Sequence, residues 1–219
     1  LLPTYHSGKT EDLDFVINFL IENYSYDKIM VVGYSLGGNM TLKYFGDHVK
    51  TISDKVSCGV AISVPVDLAS SSRIMGTSKN KIYMYKFLRS LRKKILIKNQ
   101  KYPDFKLDIK KLLKSKTFKE FDSLYTAPVS GFSGPEDYWE KASSKPYLTL
   151  IKKPVLLITS SDDPFLAEEC YPIKEAENSN YFYLEITKHG GHVGFISSLF
   201  SKKNRWLENR ILQFIKDND

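Results

Sequence analysis

Four short apolar runs recur along the chain, separated by stretches in which apolar residues return at helical spacing. Ile29-Met30-Val31-Val32 stands between Lys28 and Gly33, and Val56–Val64 (VSCGVAISV), Pro154–Thr159 (PVLLIT) and Tyr181–Ile186 (YFYLEI) repeat the pattern. Dense runs of this length predict buried strands of the parallel type. Upstream of the first, Leu13, Val16, Ile17, Leu20 and Ile21 share one helical face, and Thr10 followed by Glu11 and Asp12 reads as an N-cap with acids in the first turn. Asn39–Phe45 continues helically behind the first strand. Pro164–Ala176 reads as largely helical, and Trp206, Ile211, Leu212 and Ile215 supply the apolar face of a last helix. Strand alternating with helix predicts a mostly parallel sheet with helices on both faces.

From about residue 66 to 147 the alternation stops. Met84, Leu88, Leu91 and Ile95 recur at i, i+4, i+7 and i+11, with Lys86, Arg89 and Lys93 on other faces, so Lys79–Ile97 reads as a basic amphipathic helix. Asp108–Lys114 predicts a second, short helix. No Pro/Gly/Ser-rich linker and no internal repeat divides the 219 residues, which points to one domain, 1–219, carrying this stretch as an insertion.

Charge sharpens that picture. Between Arg73 and Lys119 lie sixteen Lys or Arg against Asp104 and Asp108, so this segment carries +14 of a net +7 and the remainder carries −7. The basicity belongs to the insertion rather than to the fold. A cationic amphipathic segment suits an anionic membrane surface; a lid whose lysines simply face water is the favoured account. Nucleic acid is disfavoured, because no recognised binding fold surrounds the segment. No obligate protein partner is evident.

No apolar run approaches the roughly 18 to 20 residues of a membrane span, and Leu1 opens neither a signal peptide nor a natural start. Cys58 and Cys170 have neither metal-binding nor disulfide spacing. Free thiols in a reducing, cytoplasmic compartment are the expectation.

Candidate chemistry begins at the first strand. Gly33-Tyr34-Ser35-Leu36-Gly37 fits G-x-S-x-G between a predicted strand and a predicted helix, the context of a nucleophile elbow. Gly33 and Gly37 are expected to be glycine because the chain reverses at Ser35 too tightly for side chains two residues away. A serine hydroxyl needs a base, and the base needs an orienting acid. Of four histidines, His6 and His48 fall in a loop and at a helix end, whereas His189 and His192 lie in HGGHVGF, directly after the last strand. His192 is favoured over His189. The acid belongs after the preceding strand, where SSDDPF offers Asp162 and Asp163; loop position favours Asp163.

These motifs, taken in order, resemble the YheT-like α/β-hydrolases, relatives of the abhydrolase-domain esterases and phospholipases. The resemblance runs through YHSGKTEDL at Tyr5, GYSLGGNM at Gly33, EFD at Glu120, the GF and DYW pieces at Gly131 and Asp137, DDPF at Asp162 and HGGHVGF at His189. It implies an α/β-hydrolase fold with a helical cap inserted after the third strand of this chain. It further implies a carboxylic ester hydrolase acting on short- to medium-chain or lipid esters, with Ser35 as nucleophile, Asp163 as acid and His192 as base. The Leu36 backbone N–H would be one oxyanion donor; the second would lie upstream of Leu1, as would the first strands of the fold. The 219 residues expressed alone are therefore expected to be insoluble or inactive. No metal or organic cofactor is implied. An acyltransferase or a perhydrolase would use the same three residues, and a non-catalytic binding module of this fold is a further alternative.

Overall fold

The structure, a computed structural model, describes residues 5–102, 107–196 and 205–218. In chain order the elements are α1 (Glu11–Asn23), β1 (Ile29–Tyr34), α2 (Leu36–Asp47), β2 (Val56–Ile62), α3 (Leu68–Met75), α4 (Lys81–Lys101) and α5 (Ile109–Leu113). They continue with α6 (Phe118–Phe121), α7 (Ala127–Ser130), α8 (Pro135–Ala142), β3 (Val155–Ser160), α9 (Ile173–Glu177), β4 (Phe182–Thr187) and α10 (Trp206–Asp217). Two compact units result: Leu1–His6 with Leu68–Ala142, and Ser7–Asp67 with Ser143–Asp219.

The second unit holds a four-stranded sheet in the order β1-β2-β3-β4, and all three pairings are parallel. Alternate residues of its central strands feed two cores. Ala61, Val155 and Leu157 join Ile17 of α1 and Leu42 and Phe45 of α2 on one face. Cys58, Val60, Ile62, Leu156 and Ile158 join Leu207, Ile211 and Phe214 of α10 on the other. Helices thus cover both faces, as the alternating pattern predicts. The helical insertion leaves the sheet after β2, the second strand among the described residues rather than the third, because only the two apolar runs at β1 and β2 precede it.

Several local expectations are corrected. β1 lies at one end of the described four strands: Ile29 and Val31 pack on the core, while Met30, Val32 and Tyr34 stay exposed on the face where α10 packs on β2 and β3. On α1, Ile17 is buried with Leu13 and Ile21 beside it, whereas Val16, about 100° round the helix from Ile17, faces outward. Thr10 does not cap this helix with its side chain; its hydroxyl pairs with His48 Nε2 at 3.0 Å. Residues 164–176 are only partly helical, with a 3-10 turn at Glu168–Cys170 and α9 confined to Ile173–Glu177. Pro172 lacks the amide a continuous helix needs and disfavours helical dihedrals at Tyr171. The buried stripe of α10 is Leu207, Ile211 and Phe214, with Leu212 exposed and Trp206 stacked on Phe195.

The first unit is helical. α4 buries Met84, Leu88 and Ile95, as its spacing predicts, and leaves Lys86, Arg89 and Lys93 exposed. Leu68, Ala127, Tyr138, Trp139 and Ala142 form an apolar cluster in this unit. Asp122 opens a single π-type turn, Asp122–Thr126, between α6 and α7. Its carboxylate accepts from the Thr126 hydroxyl at 2.6 Å and from Trp139 Nε1 at 2.9 Å. Burial pushes its pKa up to about 6, against the lowering effect of those two donors.

Because the folded value lies above the unfolded one, the Asp122 contribution is fully present below about pH 4 and is lost as pH rises towards about 6. A rise to about 6 corresponds to about 3 kcal/mol. Asp122→Asn, whose amide can accept from Trp139 and donate to Thr126, is expected to remove that dependence and to unfold at or above the wild-type temperature at pH 7. Asp122→Ala, which strands the Trp139 N–H, is expected to cost about 1–3 kcal/mol. Thermal unfolding of the three proteins between pH 4 and 7 checks both; a difference between wild type and Asp122→Asn that is flat with pH would contradict the assignment.

Candidate active site

The turn between β1 and α2 is tightly constrained. Ser35 sits at φ 51, ψ −115, a left-handed conformation that non-glycine residues avoid. Its amide donates to the Ile62 carbonyl at 2.7 Å, which ties the turn to the end of β2, and its carbonyl accepts from the Asn39 amide at 3.0 Å as α2 begins. A Cβ at Gly33 would lie 2.4 Å from both the Gly37 carbonyl oxygen and Thr41 Oγ1. The second glycine that the turn requires is Gly38, where a Cβ would meet Val64 Cγ2 at 2.5 Å. At Gly37 nothing lies within 4 Å. The expectation for Gly37 is therefore corrected: α2 already starts at Leu36, so residue 37 projects from the first helical turn while residue 38 faces the sheet.

His192 and Asp163 come to Ser35 from the loops that follow β4 and β3. His192 Nε2 lies 2.9 Å from Ser35 Oγ, and Nδ1 lies 2.8 Å from Asp163 Oδ2. The Asp163 side chain is fully buried, and its other oxygen accepts from the Phe165 amide at 2.9 Å. An ionised carboxylate can only accept, so Nδ1 carries the proton and donates to Asp163, which leaves the Nε2 lone pair to accept from the Ser35 hydroxyl. The Phe165 ring packs on the imidazole at 4.5 Å. Tyr171 donates its hydroxyl to the Ser160 carbonyl at 2.8 Å, and burial, reinforced by the Asp163 charge, pushes its pKa up to about 12.

Leu36 is the first residue of α2. The first amides of a helix have no intrahelical acceptor, so the Leu36 N–H is available beside Ser35 at the positive end of the helix dipole. Asp162, the alternative acid, turns away from His192 and accepts from the Gly190 and Gly191 amides at 3.0 and 2.8 Å. His189, the alternative base, is exposed and pairs with Asp162 at 3.4 Å. His48 ends α2, and His6 meets Phe132 and Tyr138 edge-on.

Sequence reasoning missed Asn39. Fully buried, it donates to the Ser7 carbonyl at 2.9 Å and accepts from the Ser144 amide at 2.9 Å, joining three distant segments of one unit behind the Ser35 turn. An Asn at a helical position that should be apolar was the available signal. Among the described residues no three His, Cys, Asp or Glu side chains gather as a metal site.

A family model for the alpha/beta hydrolase fold matches residues 2–199, and the chain belongs to that family. The YheT protein of Escherichia coli (strain K12) is 33% identical over 208 residues, which cover 94% of this chain and 60% of that protein. A monoacylglycerol lipase of Saccharomyces cerevisiae is 29% identical over 219 residues, 97% of this chain and 47% of that protein. Human phospholipase ABHD3 is 26% identical over 215 residues, 97% of this chain and 51% of that protein. The chain thus spans between 47% and 60% of the length of these curated relatives. The solved structure of the Pyrococcus furiosus esterase Pf2001 superposes with a TM-score of 0.56 at 20% identity, covering 98% of this chain and 64% of that one. At that identity the likeness is one of fold.

Proposed function

We propose that this chain carries the reacting centre of a serine hydrolase that cleaves carboxylic esters, lipid esters among them, through an acyl-enzyme. The continuous hydrogen-bonded line from Ser35 Oγ through both nitrogens of His192 to the buried Asp163 carries the reading. In the proposed reaction Ser35 Oγ attacks the ester carbonyl while His192 Nε2 takes its proton. Asp163 holds the imidazole and offsets its positive charge, and the Leu36 N–H receives part of the oxyanion charge. His192 then returns the proton to the departing alcohol, and a water activated by the same nitrogen releases the acid. The named relatives, a monoacylglycerol lipase and a phospholipase, support a lipid ester as substrate. The test is labelling of the full-length protein by a fluorophosphonate probe, expected to disappear in Ser35→Ala; undiminished labelling of the variant would sink the reading.

The same proposal includes peripheral contact with an anionic membrane. Among the described residues no helix is long and apolar enough to cross one. α4 contains no acidic residue, and Ile82, Tyr85 and Ile97 stand exposed among its exposed basic residues Lys86, Arg89 and Lys93, a mixture suited to an interfacial helix. Co-sedimentation with liposomes is expected to increase when anionic lipid replaces neutral lipid. Binding that does not depend on lipid charge would remove this part of the proposal.

A further inference from the structure

We propose that Asp162 is a positioning residue: its carboxylate holds the loop that presents His192 at the height set by the loop that presents Asp163. The inference rests on the reading of Ser35, His192 and Asp163 as the reacting groups. The adjacent acids face opposite ways. Asp163 is enclosed and meets the imidazole, whereas the Asp162 side chain is 43% exposed and meets the backbone and side chain of the 189–191 turn, with Ser160 beside it.

Two successive amides, of Gly190 and Gly191, converge on the single oxygen Oδ1 of Asp162. Consecutive N–H groups aimed at one point form an anion-binding concavity. The Gly191 amide, assisted by Ser160, Gly190 and His189, holds the Asp162 carboxyl below its usual range. The turn they form is one that a side chain would disrupt, since Gly191 has φ +58 and a Cβ at Gly190 would come within 2.9 Å of Ser160 Cβ.

Further bonds run between the same two loops. The Ser160 hydroxyl donates to the Gly191 carbonyl at 2.7 Å, the Ser161 hydroxyl to the Lys188 carbonyl at 3.1 Å, and the Ser161 amide to the Thr187 carbonyl at 2.9 Å. Residues 160, 161 and 162 therefore each grip the segment that ends at Gly191. His192 is the next residue. A movement of the Gly191 peptide is carried directly into the distance from Nε2 to Ser35 Oγ. Of these grips only Asp162 is an ionic acceptor, and charge-assisted bonds are the stronger kind.

The experiment compares Asp162→Ala, Asp162→Asn, Asp163→Asn and Ser35→Ala in the full-length protein. Asp162→Ala is expected to lower kcat about 10- to 100-fold with KM little changed, the size of effect expected for a displaced catalytic group. Asp162→Asn, whose Oδ1 still accepts from both amides, should recover most of that loss, whereas Asp163→Asn should lose on the order of 10⁴-fold. Wild-type kcat in Asp162→Ala, or Asp162→Asn no better than Asp162→Ala, overturns the proposal. So does a lowered melting temperature with kcat and KM both unchanged. A second readout does not need turnover: the His192 Nδ1 proton, observed by NMR, should exchange faster with water in Asp162→Ala and at the wild-type rate in Asp162→Asn. An unchanged rate in Asp162→Ala overturns the proposal. Turnover that persists in Ser35→Ala instead removes the underlying assignment, and the NMR comparison still decides the role of Asp162. If Asp162→Ala does not fold, Ser160→Ala, which removes the bond to the Gly191 carbonyl, is expected to lower kcat in the same direction, and wild-type kcat there counts against the proposal.

Discussion

Replacing Ser35 by alanine in the full-length protein is expected to reduce kcat for p-nitrophenyl esters by on the order of 10⁶-fold, the loss seen when the nucleophile of a serine hydrolase is removed. The size follows from what Oγ does in the proposed reaction. It forms the bond to the carbonyl carbon, and its proton is the one His192 Nε2 receives across 2.9 Å. Without it, neither the base nor Asp163 has a role, so their removal on top of Ser35→Ala should add little. What remains is binding and oxyanion stabilisation by groups such as the Leu36 N–H, which in comparable enzymes leaves roughly 10³- to 10⁴-fold acceleration over water. KM should change little, because Oγ bonds the carbonyl only as the reaction proceeds. Turnover within a few-fold of wild type would overturn the assignment of Ser35.

Gly33→Ala is expected to lower stability by about 3 kcal/mol, the upper end of the usual range for overpacking. The added methyl would lie 2.4 Å from both the Gly37 carbonyl oxygen and the Thr41 hydroxyl. The hydroxyl can rotate at the loss of its 3.0 Å bond to that same carbonyl. The carbonyl is backbone of the first turn of α2 and can retreat only by moving the helix that follows Ser35. Gly38→Ala should act in the same direction, since Val64 Cγ2 and the Gly33 carbonyl would lie 2.5 and 3.0 Å away. Gly37→Ala meets nothing within 4 Å and should be neutral or stabilising by up to about 1 kcal/mol. Urea midpoints of the three variants measure the contrast. Equal midpoints for Gly33→Ala and Gly37→Ala would refute this account of the turn.

Much of the fold is legible in the chain because strand and helix periodicity report local burial directly. The four apolar runs are the four strands, and the spacing of Met84, Leu88 and Ile95 is that of the buried face of α4. Reading failed where a neighbour, not a period, decides. Met30 and Val32 belong to a strand by composition, yet both are exposed although their partners Cys58 and Val60 on β2 are buried against α10. Thr10 has the chemistry of a cap, but His48, 38 residues away, engages its hydroxyl.

The order of the site residues is likewise a property of the chain. A serine between a strand and a helix, an acid after the next-to-last strand and a histidine after the last can be read without coordinates, because each lies at the carboxyl end of a parallel strand where ligands meet such a sheet. The choice between neighbours cannot be read this way. Asp162 and Asp163 have the same side chain and adjacent positions, and only the direction of each carboxylate separates them. One is turned inward to His192 and the other outward to the Gly190 and Gly191 amides. Gly37 and Gly38 differ in the same manner, since the clash that makes glycine necessary is with Val64, a residue beyond β2.

By itself, then, the sequence determined the strand and helix pattern, the parallel sheet, the basic character of the helical insertion and which loops bear Ser35, Asp163 and His192. Those features follow from local periodicity and motif order. Tertiary structure alone decided that His192 lies between Ser35 and Asp163 at hydrogen-bond distance, that Gly38 rather than Gly37 meets the sheet, that Thr10 pairs with His48 and that Asp122 is buried between two donors. Each of these depends on groups far apart in the chain arriving within a few ångströms of one another, at distances and directions that no local pattern encodes.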